Sequence, residues 1–490
     1  MKKIRNRSVS LLIIAFLVIC GMIVYVLRYV DDGKEWALYF SRSNSGSTGQ
    51  LLDRNGVTLA YFSGFENRFA EDATTRTANY HVTGDYWNRT GNGFLAEYWD
   101  EAMGFDLITG TTQAEHSQML LNIDSTLNNI MYKHLSVLEI PLDEDESLTE
   151  LPFEPHTVHQ WRVAVDGEGK LIEESEKDVL IANSWDRPRF CNSAMMVCNY
   201  RTGELLGMIS LPTVDPADTE TPPAEGAYIN RCLSASFTPG SVFKLVTAAA
   251  TIENTDQLSD KRYYCEDEYY IAGVPIVCMH SHYNQTFEKA MANSCNVAFA
   301  QMAVKLGQDT MVKYVRQYGF LDKQSLDGIP TVAGSYPTEF VGDPELGWSG
   351  IGQSTDLVCP YAMLRFVCAI ANDGVLLEPK MIDDGKSPKA ERFMEAGTAK
   401  KLKEMMSYNV SYSYGGEDTF PGLNMCAKTG TAEIGDGDTH AWFVGFLDDE
   451  EHPYAFVTMV ERGGGGLYVA GNTTSRILQE YIANSEGADE

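Results

Sequence analysis

From Val9 to Leu27 runs a stretch of nineteen residues in which Ser10 is the only clear polar break. As a helix rising 1.5 Å per residue it covers roughly 28 Å, close to the hydrocarbon thickness of a bilayer. Lys2, Lys3, Arg5 and Arg7 precede it. The positive-inside rule then puts the start of the chain in the cytoplasm and everything after Arg28 outside. Residues 1–30 therefore read as a cytoplasmic stub and an uncleaved, single-pass signal anchor. A cleaved signal peptide has a shorter apolar core and a small-x-small site, and no such site follows here. Leu17-Val18-Ile19-Cys20 resembles a lipidation box, but Ile19 is too large for the position before that cysteine.

The remaining chain is long enough for two or three domains with ample core. Five of its 38 cations precede residue 31, so the exterior part carries 33 cations against 68 acids. Such a surface repels nucleic acid, and solubility is its plain explanation. Ten cysteines occur without a Cys-x-x-Cys pair or a His-Glu-x-x-His, which argues against a zinc site and against any metal cofactor. Cys265 and Cys278 flank a hairpin pattern around Gly273-Val274-Pro275, and a disulfide is expected between them. The other cysteines, Cys295 among them, read as small buried fillers. His280, His282 and His440 read as structural.

Ser41 to Gly49 reads as a loop. Apolar runs around Asn55-Gly56, from Gln50 to Ala60, predict a hairpin. Asp124 to Val137 predicts a helix capped by Asp124 or Ser125, with Leu127, Ile130, Met131 and Leu135 at helical spacing. Pro141 to Glu150 is acidic and reads as a loop. Trp161–Val165 and Leu171-Ile172 read as a second hairpin. Composition changes near Arg189, after which Ala194–Asn199 and Leu205–Leu211 predict a hairpin opening a new domain. Near the end, Tyr454–Glu461 reads as a strand, Gly463–Gly466 as a turn and about Thr473–Ala483 as a helix. The resulting division is a membrane anchor, a mixed pedestal at 31–190 with an insertion at about 140–190, a second domain at 191–484 and a polar tail at 485–490.

Candidate chemistry gathers in three places. Pro239-Gly240 forms a turn before Ser241-Val242-Phe243-Lys244, and the apolar run Leu245–Ile252 continues as a buried helix. Ser241 and Lys244 then share a helix face. A serine hydroxyl needs an adjacent base to act as a nucleophile, and a lysine of depressed pKa serves. Ser294-Cys295-Asn296 lies in a helical segment, Thr286–Leu306, closed by Gly307. A second hydroxyl can pass protons, and an amide both donates to and accepts from a peptide. Ser407-Tyr408-Asn409 repeats the pattern, but in a loop-like stretch after a helix at about 398–406. Lys428-Thr429-Gly430-Thr431 lies on a strand, Met425–Thr431, where the glycine lets another backbone approach and Lys428 supplies positive charge. Each signal is common alone; their order along one chain is not.

Ser-x-x-Lys, Ser-x-Asn and Lys-Thr-Gly in this order are the signature of penicillin-binding proteins and class A β-lactamases. The chain resembles a class B, monofunctional penicillin-binding protein. Supporting segments are Leu52-Asp53-Arg54-Asn55-Gly56, Leu121-Asn122-Ile123-Asp124, Tyr200–Leu206, Phe237–Ser241, Gly350-Ile351-Gly352-Gln353 and His440–Gly445. Thr48 stands where the family usually has arginine, and residues 140–190 have no family counterpart.

The resemblance implies an α+β architecture: anchor, pedestal, then a β-lactamase-like transpeptidase domain with an antiparallel sheet of about five strands flanked by helices. It implies D,D-transpeptidase chemistry on peptidoglycan stem peptides, in lipid-linked precursor or nascent glycan, with β-lactams as covalent inhibitors. A glycosyltransferase of the cell-wall machinery becomes a possible partner, since no segment before residue 190 resembles one. Ser241 would be the nucleophile, Lys244 its base, Ser294 the proton relay and Lys428 its electrostatic tuner. Asn296 would hold the donor peptide, while Thr429, Gly430 and Thr431 would bind its terminal carboxylate. A D,D-carboxypeptidase or a β-lactamase shares this pattern, although no Glu-x-x-Leu-Asn element suited to a deacylating water is evident. A non-enzymatic β-lactam sensor or divisome scaffold is the other reading. Only about eight residues precede the apolar run, and every catalytic residue is retained, which speaks against both.

Overall fold

The computed structural model describes residues 11–28, 49–62, 68–85, 88–98, 105–106, 111–112, 118–136, 138–141, 161–163, 179–182, 192–435 and 438–486. Among these residues one helix, Leu11–Arg28, is long and apolar enough to cross a membrane.

The Asn55-Gly56 hairpin forms as expected, pairing Gly49–Leu52 with Thr58–Phe62. Gln118–Leu120 adds a parallel strand beside Gly49–Leu52. Asp53 ties this hairpin to helix α1 (Ser125–Ser136): its Oδ2 accepts from Ser125 N–H and Oγ–H at 3.1 and 2.6 Å. Of the hairpin expected at Trp161–Val165 and Leu171-Ile172, Trp161–Val163 is a strand, paired with Val179–Ala182, which also pairs with Leu138–Pro141. Leu171-Ile172 lies outside the described residues. Val179-Leu180-Ile181-Ala182 is apolar throughout and suits a middle strand. Of the loops expected at Ser41–Gly49 and Pro141–Glu150, Gly49 opens one strand and Pro141 ends another, and the other residues lie outside the described ones.

Five strands build the central sheet: β1 (Ser193–Asn199), β2 (Leu205–Leu211), and later β7 (Met425–Glu433), β8 (Thr439–Leu447) and β9 (Tyr454–Val460). Their order is β2-β1-β9-β8-β7, all antiparallel. Between β2 and β7 run α2 (Lys244–Asn254), two small ladders β3 (Tyr263–Cys265) with β6 (Tyr283–Gln285) and β4 (Glu268–Ile271) with β5 (Val274–Val277), then α3 (Phe287–Ala292), α4 (Asn296–Leu306), α5 (Pro360–Ala371) and α6 (Ala396–Ser413). The last helix is α7 (Asn472–Glu486).

The strands are apolar at nearly every position because both faces are covered. Successive residues point to opposite sides. Met196, Cys198, Val444 and Val457 face a core shared with α2, α4 and α5. Met195, Val197, Phe443 and Phe456 face a second core filled by Leu127, Ile130 and Met131 of α1 and by Ile477 and Leu478 of α7. A helix from the region before residue 190 thus closes one face of this sheet. Tyr481 Oη–H donates to Asp124 Oδ2 at 2.9 Å and locks α7 to the start of α1.

Candidate active site

The nucleophile turn forms because Pro239-Gly240 cannot extend the preceding strand-like segment. Residues 240–243 make one 3₁₀ turn that runs directly into α2. Ser241 and Lys244 therefore lie on one helical face, as their spacing predicts, with Lys244 Nζ 3.0 Å from Ser241 Oγ.

The second element departs from expectation. Thr286–Leu306 is not one helix but two. Ser294 adopts a left-handed backbone (φ 50°), and Cys295 caps α4 by accepting from Ala298 N–H. The break turns Ser294 and Asn296 toward Lys244. Lys244 Nζ donates to Ser294 O at 2.6 Å and to Asn296 Oδ1 at 2.7 Å, and Ser294 Oγ is 3.2 Å away. Asn296 Nδ2–H donates in turn to Val277 O at 2.9 Å.

The third element is β7, an outer strand of the sheet. Thr429 N–H donates outward to Tyr414 Oη, and Ala427 O accepts outward from Asn409 Nδ2–H. Antiparallel ladders alternate inward and outward residues, so Thr431 N–H also faces away from β8. The close approach expected at Gly430 is present: a Cβ there would lie 2.9 Å from Pro239 O. Thr431 is exposed, Thr429 half-buried, and Lys428 fully buried. Lys428 Nζ donates to Ser294 Oγ at 3.0 Å and to Thr429 O at 2.9 Å.

All eight expected site residues, Ser241, Lys244, Ser294, Asn296, Lys428, Thr429, Gly430 and Thr431, thus converge. The competing Ser407-Tyr408-Asn409 lies inside α6 rather than in a loop, and Asn409 serves the outer edge of β7. Tyr414, which supports Thr429, and Trp442, whose Nε1–H donates to Thr238 O at 3.0 Å, were not anticipated. No local pattern marks either; both act through tertiary placement.

Among the described residues, neither lysine has a carboxylate partner within hydrogen-bonding distance. Burial pushes Lys244 down to about 8. Lys428 falls well below its ordinary 10.5, by burial first and by the Lys244 charge second. Two desolvated amines around one hydroxyl disfavour double protonation, which opposes the positive charge expected of Lys428 in the unliganded site. A neutral Lys244 amine has two N–H groups and one lone pair. Ser294 O and Asn296 Oδ1 can only accept, so they take the N–H groups and leave the lone pair for the Ser241 hydroxyl.

The expected Cys265–Cys278 disulfide is absent. Both thiols are free and buried, and they lie with Cys295 and His282 in one cluster whose potential ligand atoms are all within 4.8 Å of one another. Nothing in the cysteine spacing reveals this, because the four residues come from separate segments.

A serine, two lysines and a second serine between a helix and a sheet-edge strand define a serine–lysine active site on an α+β scaffold. Residues 193–479 match the penicillin binding protein transpeptidase domain, and the chain belongs to that family. Stage V sporulation protein D of Bacillus subtilis is 26% identical over 348 residues, covering 66% of this chain and 53% of that protein. Peptidoglycan D,D-transpeptidase PbpA of Mycolicibacterium smegmatis is 27% identical over 330 residues, covering 59% of this chain and 65% of its own. The chain thus spans between about half and two thirds of these relatives. The fold is shared with the D,D-transpeptidase domain of a peptidoglycan glycosyltransferase from Eggerthella lenta (TM-score 0.68, 20% identity, covering 90% of this chain and 99% of that one). It is shared also with penicillin-binding protein A from M. tuberculosis as a ceftriaxone acyl-enzyme (TM-score 0.66, 18% identity, covering 90% and 99%).

Proposed function

We propose that the protein is a membrane-anchored peptidoglycan D,D-transpeptidase acting through a Ser241 acyl-enzyme, with its N-terminus in the cytoplasm and its catalytic part outside. The observation that carries this reading is the placement of the Lys244 amine, 3.0 Å from Ser241 Oγ and within 2.7 Å of Ser294 O and Asn296 Oδ1, two acceptors that take its N–H groups when it is neutral.

Ser241 Oγ attacks the penultimate D-Ala carbonyl of a D-Ala-D-Ala stem, and its proton passes to Lys244. The N–H groups of Ser241 and Thr431 receive the oxyanion; one such donor is worth about 3 kcal/mol of barrier. As the C–N bond breaks, Ser294 protonates the departing D-Ala and is reprotonated by the lysines. Asn296 orients the donor peptide. Thr429 and Thr431 take the terminal carboxylate, which also favours a protonated Lys428. An amine from a second stem then resolves the ester and forms the cross-link. A β-lactam enters the same way, but its leaving nitrogen stays tethered, so Ser241 remains blocked. A glycosyltransferase supplying glycan strands is the partner this reading implies.

Labelling of the full-length protein with a fluorescent penicillin tests it. Ser241→Ala is expected to abolish labelling, and labelling that persists would overturn the assignment. A stem peptide offered with and without an acceptor amine separates transpeptidation from carboxypeptidation: cross-linked product supports the proposal, and release of D-Ala alone refutes it.

A further inference from the structure

Beside Asn296 four side chains meet from four segments. Cys265 ends β3, Cys278 follows β5, His282 precedes β6, and Cys295 caps α4. We propose that Cys265, Cys278, His282 and Cys295 bind one zinc ion as a closed Cys₃His site that holds the β3–β6 segment against the catalytic groove and fixes Asn296.

The donor set itself indicates the metal. Three thiolates and one imidazole in a compact group suit tetrahedral zinc, and four protein ligands leave no open position, which marks a structural site. His282 Nδ1 is 3.5 Å from Cys278 Sγ, so this nitrogen faces the cluster. Binding releases three thiol protons and leaves a site of net charge −1. Two backbone donors already serve the sulfurs: Asn296 N–H reaches Cys278 Sγ at 3.3 Å and Ala298 N–H reaches Cys295 Sγ at 3.4 Å. Both come from the first turn of α4, where the helix dipole favours negative charge. A disulfide between any two of these thiols would strand the third beside a histidine.

The surrounding segment also needs a cross-link. Tyr264, Tyr269, Tyr270, Val277, Met279 and Tyr283 are exposed, while Cys265, Ile271, Ile276 and Cys278 are among the few buried side chains. Two-stranded ladders this short do not hold by burial alone, and a bound metal supplies the missing free energy. The consequence reaches the active site directly. Asn296 follows Cys295 in the chain, and its Nδ2–H is held by Val277 O, the residue before Cys278. Its Oδ1 takes one N–H of Lys244. Metal, Asn296 and catalytic amine form one chain of contacts.

The test uses the full-length protein in detergent, purified without chelator. One zinc per chain is expected by elemental analysis. Cobalt(II) exchanged into the site is expected to show thiolate-to-metal charge-transfer absorption. Cys278→Ser and His282→Ala are expected to lose the metal. Alkylation mapping needs no variant: Cys265, Cys278 and Cys295 should resist iodoacetamide until a chelator is added, whereas Cys232 and Cys368 resist throughout. Protein without zinc, or with these three thiols equally reactive before and after chelation, overturns the site. The positioning role rests on the proposed function and is read separately. Chelation should slow penicillin acylation about tenfold or more, and zinc should restore it. Metal release without any change in acylation refutes that role while leaving the Ser241 assignment intact.

Discussion

Lys244 and Lys428 reach the same oxygen: their Nζ atoms lie 3.2 and 3.0 Å from Ser294 Oγ. Both amines are fully buried; burial lowers Lys244, burial and the Lys244 charge lower Lys428, and the neutral form of Lys244 becomes accessible near physiological pH. Such burial suits the base role proposed for Lys244, a residue type that is ordinarily an ammonium.

A pH dependence follows. In the proposed mechanism Lys244 must be deprotonated to receive the Ser241 proton, and its pKa is lowered to about 8. The second-order rate constant for penicillin acylation should rise about tenfold per pH unit below that value and level off above it. Stopped-flow acylation across roughly pH 6 to 9 checks this; a flat profile contradicts a lysine base.

Ser294 is the only hydroxyl touching both amines among the described residues. Ser294→Ala removes the proposed relay hydroxyl without opening the core, since the side chain is only half-buried. Acylation should fall by about 10²–10⁴, with thermal stability nearly unchanged. A fall of less than about tenfold would assign the relay elsewhere.

The site was legible in the sequence to different depths. Ser241 and Lys244 were readable because helical spacing alone brings them together. Lys428–Thr431 was readable because an apolar strand carries it. The central strands showed as apolar runs bounded by turn residues, the mark of burial on both faces. What escaped depends on tertiary convergence. The break at Ser294 requires a left-handed residue that no glycine announces. Tyr414 and Trp442 act through distant backbone groups. The Cys265, Cys278, His282 and Cys295 cluster joins segments whose spacing matches no simple metal motif, so a disulfide was expected where three free thiols meet.

Gly352 sets the position of the nucleophile turn. Its φ is +76°, and a Cβ would lie 2.2 Å from Gly240 O, whose residue also donates N–H to Gly352 O at 2.9 Å. Gly352→Ala should cost about 1–3 kcal/mol and slow acylation, because the turn carrying Ser241 must shift. Gly397→Ala is the control. That glycine lies exposed in the first turn of α6 with open space around it, and alanine there should add about 0.5–1 kcal/mol. Chemical denaturation of both variants checks the pair, and equal effects would contradict the steric argument.

Asp356, four residues beyond Gly352, is fully buried, and among the described residues its carboxyl oxygens have no hydrogen-bond partner; the neighbouring Ser349 hydroxyl falls outside hydrogen-bond geometry. Burial raises its pKa well above the ordinary 3.8, with Glu345 adding to the effect. The folded state therefore holds this proton to higher pH than the unfolded chain does. By linkage, stability from this group is full below 3.8 and declines as pH rises toward the folded-state pKa. The slope in that window is about 1.4 kcal/mol per pH unit. Asp356→Asn removes the proton and its linkage. The variant should match the wild type near pH 4 and become progressively more stable than it toward neutral pH. Denaturation midpoints measured for both proteins across that range check the sign; a variant that is less stable at neutral pH than at acid pH, relative to wild type, would show that Asp356 is held ionised instead.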